Sequence, residues 1–274
     1  MADEEVIVER DDAVAVVTIN RPQVHNALNA RVLRSIADAI RSLSASGTVG
    51  AIVITGAGDK AFSAGADLDE LSGLDAHQAH GVLAAGQRIL AEIEHNPVPV
   101  IAAVNGLALG GGFELVLSAA FPVLSTRASF GLPESGLGLI PGYGGTQRLP
   151  RVVGPAVAAH LMLSGARLSA DRAYALGLSL LAPVEPAELL TVATGVAREV
   201  AARGPNAHAA ILRVLRADAP SAAELALETA LAAIATAGAE AAEGIAAFKG
   251  RRPASFDREP SGNGNGNGPA GGRR

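Results

Sequence analysis

The chain of 274 residues contains no cysteine and no tryptophan, and aromatic residues make up only 3% of it. Without cysteine it can form no disulfide, no thiolate nucleophile and no cysteine-ligated metal site. The formal net charge is −5, so the chain lacks the basic excess that binds nucleic acid or an anionic membrane. Its hydrophobic fraction of 49% is enough to bury a substantial core.

The first residues, Met1-Ala-Asp-Glu-Glu5, are acidic, whereas a secretory signal begins with basic residues. The longest apolar stretch, 98–124, contains Asn105, Glu114 and four glycines. It is therefore predicted to be a buried strand, loop and helix rather than a membrane span. Together with the absence of cysteine, these features predict a cytoplasmic protein that binds neither membrane nor nucleic acid.

Hydrophobic periodicity predicts an α/β fold, because short buried strands alternate with amphipathic helices. Asn29 is predicted to cap the first helix. From about residue 155 to residue 249 helical spacing dominates, apart from a strand-like patch at 178–182. The other predicted elements are a hairpin of 6–8 with 13–20, strands at 51–55, 98–104 and 121–125, and helices at 75–95 and 111–119.

Two glutamates in this largely apolar region each follow residues that interrupt regular secondary structure, either glycines or a proline. Glu114 ends the segment Ala108-Leu-Gly-Gly-Gly-Phe-Glu114, and Glu134 ends Phe130-Gly-Leu-Pro-Glu134. Each alone could be an ordinary helix N-terminal carboxylate, and the helix N-terminus is expected to favour the ionised form of Glu114. As a pair in one pocket they are candidates for general acid–base catalysis.

Two glycine-rich turns are candidates for an anion-stabilising pocket. Side chains are absent or minimal at Ala66 and Gly111, so their backbone N–H groups could converge on one oxygen as an oxyanion hole. The simpler alternatives are that Asp67 merely caps a short helix, and that the glycines 110–112 only allow close packing.

Several other chemistries are disfavoured. Gly56-Ala-Gly58-Asp-Lys-Ala61 loosely matches a dinucleotide fingerprint, but a loop follows it where the fingerprint needs a helix. No H-E-x-x-H motif is present, so no metal site is predicted, and no G-x-S-x-G motif suggests a serine hydrolase. An inverting glycosidase also uses two carboxylates and a water, but this chain has no tryptophan and few other aromatic side chains that could stack on a sugar ring.

The sequence resembles the crotonase (enoyl-CoA hydratase/isomerase) family over about residues 6–256, and is most similar to enoyl-CoA hydratases. Six motifs follow the family's order. They are Asn20-Arg-Pro-Gln-Val-His-Asn-Ala-Leu-Asn29, Ile52-Val-Ile-Thr-Gly56, Ala61-Phe-Ser-Ala-Gly-Ala-Asp-Leu68, the stretch 99–115 with its Gly-Gly-Gly-Phe-Glu, the stretch 130–149 with its Pro-Glu-Ser-Gly, and Glu243-Gly-Ile-Ala-Ala-Phe248.

The resemblance implies a spiral of ββα units in residues 1–200 and a helical trimerisation region at 201–256. The low-complexity Gly/Asn composition of the last residues predicts a disordered tail at 257–274. It implies a homotrimer or a dimer of trimers. It also implies hydration of a trans-2-enoyl-CoA to a 3-hydroxyacyl-CoA in fatty acid metabolism, without a cofactor beyond the coenzyme A of the substrate. Alternatives within the family are an isomerase, another acyl-CoA reaction, or a non-catalytic protein that binds CoA thioesters.

Residue by residue, the resemblance assigns the oxyanion amides to Ala66 and Gly111, water activation to Glu114 and proton donation to Glu134. Family members that lack one glutamate commonly catalyse other reactions, so the presence of both favours hydration. His25 stands where the family often has a basic residue, and Arg251 and Arg252 could assist the phosphates. Ser135 and Tyr143 stand where small or apolar residues are common, and bear on acyl-chain fit. Substrate and coenzyme A binding is assigned to Val24, His25, Ala27, Leu28, Ser63, Ala64, Gly65, Asp67, Leu68, Gly110 and Phe248.

Overall fold

The computed structural model describes residues 4–216 and 220–256. The segment 257–274, predicted to be a disordered tail, lies outside the described residues. The strands are β1 Val6–Asp11, β2 Val14–Ile19, β3 Ala51–Gly56, β4 Ala61–Ser63, β5 Val100–Val104, β6 Leu107–Leu109, β7 Phe121–Leu124, β8 Ser129–Gly131 and β9 Leu168–Ser169. The helices are α1 Ala30–Ala45, α2 Leu68–Leu71, α3 Ala76–Glu94, α4 Gly111–Ser118, α5 Gly145–Val153, α6 Pro155–Ser164, α7 Ala170–Ala175, α8 Leu189–Ala201, α9 Pro205–Leu215, α10 Ala222–Thr236 and α11 Ala239–Lys249.

The strands form two sheets, and the chain alternates between them. The larger sheet has the order β1-β2-β3-β5-β7, and the smaller has the order β4-β6-β8-β9. The pairs β3–β4, β5–β6 and β7–β8 each place their first strand in the larger sheet and their second in the smaller. Helices α2 and α3 follow the first pair, and α4 follows the second. This alternation is the spiral of ββα units, and it confirms the predicted fold.

The larger sheet is covered on both faces, which explains why every residue of β3 is buried. Successive side chains of a strand point to opposite faces. Ile52 and Ile54 accordingly join the main core with Ile36 of α1 and Leu90 of α3. Val53 joins a second cluster formed with helix α8 on the other face.

Most predicted elements are present. The hairpin β1–β2 forms with Val6 opposite Ile19, and the Asn29 side chain accepts the Val32 N–H at 2.7 Å as the cap of α1. The predicted strand at 178–182 is wrong. The Ser179 hydroxyl lies 3.1 Å from the Pro122 carbonyl and 2.9 Å from the Leu181 carbonyl, and this side chain holds the segment in place of a strand ladder.

The last helices pack back onto the core, since α10 lies against α3 and α11 contacts the segment that carries Glu134. In the described part of the chain no single helix is long and apolar enough to cross a bilayer. Helices α10 and α11, bent by 69°, together meet the length and composition of a broken span. The predicted boundary near residue 200 and the predicted role of 201–256 in assembly stay predictions.

Candidate active site

Two glycine-containing turns bring the backbone amides of Ala66 and Gly111 together. A Cβ placed on Gly111 would lie 3.4 Å from the Ala66 nitrogen, and one on Gly65 would lie 3.2 Å from the Gly111 nitrogen. Gly65 has a φ of 97° and a Cβ there would lie 2.6 Å from the Leu109 carbonyl oxygen, so only glycine allows this approach. Neither amide donates to an oxygen of the described residues, and both line one cavity.

Glu114 lies in the first turn of α4 and is buried. Its Oε1 accepts the N–H of Tyr143 at 2.8 Å and the N–H of Gly145 at 2.6 Å. A Cβ on Gly145 would lie 2.8 Å from that oxygen, so the close contact requires glycine at 145. The two donors lie at the first residue of α5 and two residues before it, and they hold one carboxylate oxygen against the backbone of that segment.

The pKa of Glu114 is raised well above its ordinary value of 4.5. Burial is the main cause, followed by the negative charges of Glu228 and Glu134, while the donors Gly145 and Tyr143 act in the opposite direction. The helix N-terminus, which was expected to favour the ionised form, therefore does not set the pKa of this group. Loss of water around the carboxyl outweighs the partial charge of the helix end.

Glu134 begins the short 3-10 helix Glu134–Leu137 and lines the same cavity. The residue is half-buried, but its Oε2 is fully enclosed and has no hydrogen-bond partner among the described residues. Its Oε1 lies close to Gly110, where a Cβ would approach it to 2.9 Å. Burial raises the pKa of Glu134 to about 7, with a further contribution from Glu228. A carboxyl with this pKa carries a proton in a substantial fraction of molecules at neutral pH.

A third buried carboxyl, that of Glu228 on α10, stands behind this pair. It accepts the N–H of Gly144 at 2.5 Å, the N–H of Thr146 at 2.9 Å and the hydroxyl of Thr146. Burial raises its pKa, although these donors oppose the rise. Alternate N–H groups at the start of α5 thus point to Glu114 and to Glu228, and the helix end stabilises both charges.

The cavity that these groups share has a volume of about 180 Å³. Leu71, Leu83 and Leu139 give it an apolar wall, and Thr236 of α10 and Phe248 of α11 also line it. Nine residues predicted for the site line this cavity, namely Ala64, Gly65, Ala66, Leu68, Gly110, Gly111, Glu114, Glu134 and Phe248.

A family model described as enoyl-CoA hydratase/isomerase matches residues 9–259 of this chain. The chain belongs to the enoyl-CoA hydratase/isomerase family. It is 44% identical to a crotonyl-CoA hydratase of Syntrophomonas wolfei over 204 residues, which cover 74% of this chain and 78% of that protein. It is 42% identical to a short-chain-enoyl-CoA hydratase of Clostridium acetobutylicum over 202 residues, which cover 74% and 77%.

The fold agrees with this membership of the enoyl-CoA hydratase/isomerase family. The crystal structure of an enoyl-CoA hydratase/isomerase from Pseudoalteromonas atlantica T6c matches with a TM-score of 0.83 at 30% identity. The match covers 93% of this chain and all of that one. The resemblance predicted from the motifs is therefore confirmed at the level of family and fold.

The two segments to which the family resemblance assigns coenzyme A run side by side. The Leu28 N–H donates to the Gly65 carbonyl at 2.8 Å, and the Asp67 N–H donates to the Leu28 carbonyl at 3.0 Å. His25 lies at a separate small cavity with Lys60. Six predicted binding residues, Val24, His25, Ala27, Leu28, Ser63 and Asp67, do not line the main cavity.

These six residues have other positions in the structure. Val24 and His25 are exposed, Ala27 is half-buried, and Leu28 and Ser63 are buried. Asp67 caps α2 and pairs with Arg21 at 3.2 Å. Ser135 donates to the Met162 carbonyl at 2.7 Å and also lies outside the main cavity.

Sequence analysis missed Glu228 because it treated the alanine-rich C-terminal helices as assembly elements. The signal was present, since Glu228 and Thr229 share the buried face of α10 with Ala232 and Ala233 at helical spacing. Among residues 4–216 and 220–256, no group of three or more acidic or histidine side chains is arranged to hold a metal ion.

Proposed function

We propose that this protein is an enoyl-CoA hydratase, which adds water across the trans-2 double bond of an enoyl-CoA thioester to give a 3-hydroxyacyl-CoA. The observation that carries the proposal is one cavity lined by two uncommitted backbone amides and two buried carboxyls. The similarity to two bacterial relatives, a crotonyl-CoA hydratase and a short-chain-enoyl-CoA hydratase, supports it.

The amides of Ala66 and Gly111 bind the thioester carbonyl oxygen and polarise the conjugated double bond. Electron density moves to that oxygen as water attacks C3, so the two hydrogen bonds strengthen in the enolate-like transition state. Losing one such donor costs roughly 10²–10³ in rate. The amides are held by the backbone before substrate arrives, so little reorganisation accompanies the reaction.

The two glutamates divide the remaining work. The two carboxyls share one proton, because a second negative charge in the same buried site is unfavourable. The N–H donors of Tyr143 and Gly145 favour Glu114 as the ionised member of the pair, and with Glu134 protonated one charge that raises the pKa of Glu114 is absent. The other oxygen of Glu114 then orients water and takes its proton. Glu134 has no donor to its Oε2, which favours its protonated form, and it supplies the proton to C2. The water oxygen bonds to C3 and the C2–C3 π bond breaks. A proton moves from Glu114 to Glu134 to complete the cycle.

Coenzyme A is bound as part of the substrate, and the adjoining segments 24–28 and 63–68 are proposed to hold it. The protein is proposed to act as a homotrimer or a dimer of trimers. This assembly is supported by apolar side chains exposed on the last helices, including Ile211 and Val214 of α9 and Leu227 and Ile234 of α10. A cytoplasmic location stays a prediction from composition.

The experiment is the hydration of crotonyl-CoA, followed by loss of the ultraviolet absorbance of the conjugated thioester. We expect turnover by the wild-type protein, and losses of on the order of 10²-fold or more in Glu114→Gln and Glu134→Gln. Glu224→Gln is the matched control, because this exposed glutamate lies on α10 outside the cavity. Full activity in Glu134→Ala would refute the mechanism.

The same preparations separate the alternatives within the family. Conversion of a 3-enoyl-CoA to the 2-enoyl isomer without hydration would identify an isomerase. Binding of butyryl-CoA without turnover of any enoyl-CoA would identify a non-catalytic protein. The presence of both buried carboxyls favours hydration over either outcome.

A further inference from the structure

The ring of Tyr143 fills a gap between two glycines. A Cβ on Gly111 would lie 2.9 Å from one edge of the ring, and a Cβ on Gly86 of α3 would lie 2.3 Å from the other. Tyr143 is 3% exposed. The ring is therefore held between the proposed oxyanion amide on one side and the backbone of α3 on the other.

Tyr143 also forms part of two cavities. It lines the catalytic cavity of about 180 Å³, and it lines a second cavity of about 420 Å³ between α1 and α3. Leu33, Val82 and Ile89 give the second cavity an apolar surface that an alkyl chain fits. Charged residues also line this cavity, namely Arg34, Glu70, Arg88 and Glu92. Burial and the negative charges of Glu114 and Glu70 raise the pKa of the Tyr143 phenol, so its hydroxyl stays neutral. The Cζ atom, which carries the hydroxyl, would lie 2.7 Å from a Cβ on Gly86, and Gly86 lines the second cavity, so the hydroxyl end of the ring is on that side.

We propose that Tyr143 closes the acyl end of the catalytic cavity and restricts this enzyme to enoyl thioesters with short acyl chains. The inference rests on the proposed function, because the thioester carbonyl must sit at Ala66 and Gly111. From that carbonyl the acyl chain reaches the Tyr143 ring within a few atoms, because the ring lies directly beside Gly111. A longer chain reaches the second cavity only if the ring is displaced from its buried position.

The first test is a series of kcat/KM values for trans-2-enoyl-CoA thioesters of four, six, eight and twelve carbons. One methylene in a hydrophobic pocket changes discrimination by roughly 10–200-fold, so the wild-type values should fall steeply along the series. Tyr143→Ala should raise the eight-carbon to four-carbon ratio by at least about 10-fold. Tyr143→Phe keeps the ring and should keep the wild-type profile.

Ala85 on α3 lines the second cavity, and a second substitution there tests the route of the chain. Ala85→Leu in the Tyr143→Ala background should restore preference for short chains by refilling that space. Tyr143→Leu replaces Tyr143→Ala if the latter does not fold, as judged by thermal melting. The proposal is overturned if the wild-type enzyme uses the twelve-carbon thioester as well as the four-carbon one. It is also overturned if folded Tyr143→Ala and Tyr143→Leu both keep the wild-type ratio.

Calorimetric binding of butyryl-, octanoyl- and dodecanoyl-CoA separates this proposal from the proposed function. If no variant hydrates any substrate but Tyr143→Ala gains affinity for octanoyl-CoA, the hydratase function is wrong and the role of Tyr143 in limiting chain length stands. If hydration occurs but binding shows the same chain-length dependence in the wild-type protein and in Tyr143→Ala, the role of Tyr143 in limiting chain length is wrong and the hydratase function stands.

Discussion

The proposed mechanism requires a raised pKa at Glu134, and a raised pKa makes the folded protein less stable at high pH. Replacing Glu134 by glutamine should remove this pH-dependent loss of stability. The carboxyl has its pKa raised from 4.5 to about 7 by burial. Because the pKa is higher in the folded state, this group's contribution to stability is fully present below pH 4.5 and lost as the pH rises through 7. At roughly 1.4 kcal/mol for each pH unit between the two pKa values, the loss is about 3 kcal/mol.

The assay is urea unfolding of the wild-type protein and Glu134→Gln at about pH 5 and about pH 8.5. The fall in unfolding free energy between the two pH values should be smaller in the variant by about 3 kcal/mol, or slightly less because the titration has begun by the lower pH. The cost of burying the glutamine amide is the same at both pH values and cancels. Hydration of crotonyl-CoA by the variant should be strongly reduced at both.

Glu224→Gln serves as the control, because the Glu224 carboxyl is exposed and its pKa is lowered by the Ser221 N–H and hydroxyl and by Arg151. It should not reduce the fall in stability towards high pH. If Glu134→Gln loses as much stability with pH as the wild-type protein, the Glu134 carboxyl titrates near its ordinary pKa. It would then be ionised at neutral pH, and the assignment of Glu134 as proton donor would fail.

Four other results are expected. Hydration by the wild-type enzyme should decline as the pH rises through about 7, because Glu134 then loses the proton it donates; a flat profile from acid to alkaline pH would contradict this. Glu228→Ala should lower kcat by about 10²-fold, since the first turn of α5 loses an anchor and a shift of 1 Å can cost that much. Glu228→Gln should move the decline to lower pH, because one charge that raises the pKa of Glu134 is gone; an unmoved profile would count against the coupling. Gly145→Ala should reduce activity by about 10²-fold, because the added Cβ collides with the Glu114 side chain. Gly81→Ala is the control: its Cβ meets nothing within 4 Å, so it should be neutral or stabilise α3 by up to about 1 kcal/mol. Equal activity of the two variants would refute the effect of the Gly145 contact.

The sequence predicted the features that depend on local chemistry. The buried strands, the Asn29 cap and the two glycine turns follow from hydrophobic runs and from residues that only certain backbone conformations accept. The three-residue strands β4, β6 and β8 are too short to show periodicity, so the second sheet was not predicted from the pattern of residues.

The parts of the site that sequence analysis missed depend on contacts between distant segments. Glu228 reaches Gly144 across 84 positions of the chain, and nothing in its immediate neighbours indicates that partner. The raised pKa of Glu114 reflects burial by the whole fold, whereas the sequence showed only the helix end beside it. The division between the two cavities at Tyr143 likewise depends on where α3 passes.

The contact of Glu228 with the first turn of α5 makes the proposed site depend on the last helices of the chain. Helix α10 supplies Glu228 and Thr236, and α11 supplies Phe248, so the site draws on the last quarter of the sequence. A nascent chain that ends before α10 already carries both glutamates proposed to be catalytic and both proposed oxyanion amides. It lacks the acceptor for Gly144 and Thr146, and its cavity lacks the side chains of Thr236 and Phe248. Catalytic competence should therefore appear only after the C-terminal helices have docked, which makes turnover a late marker of folding in this chain.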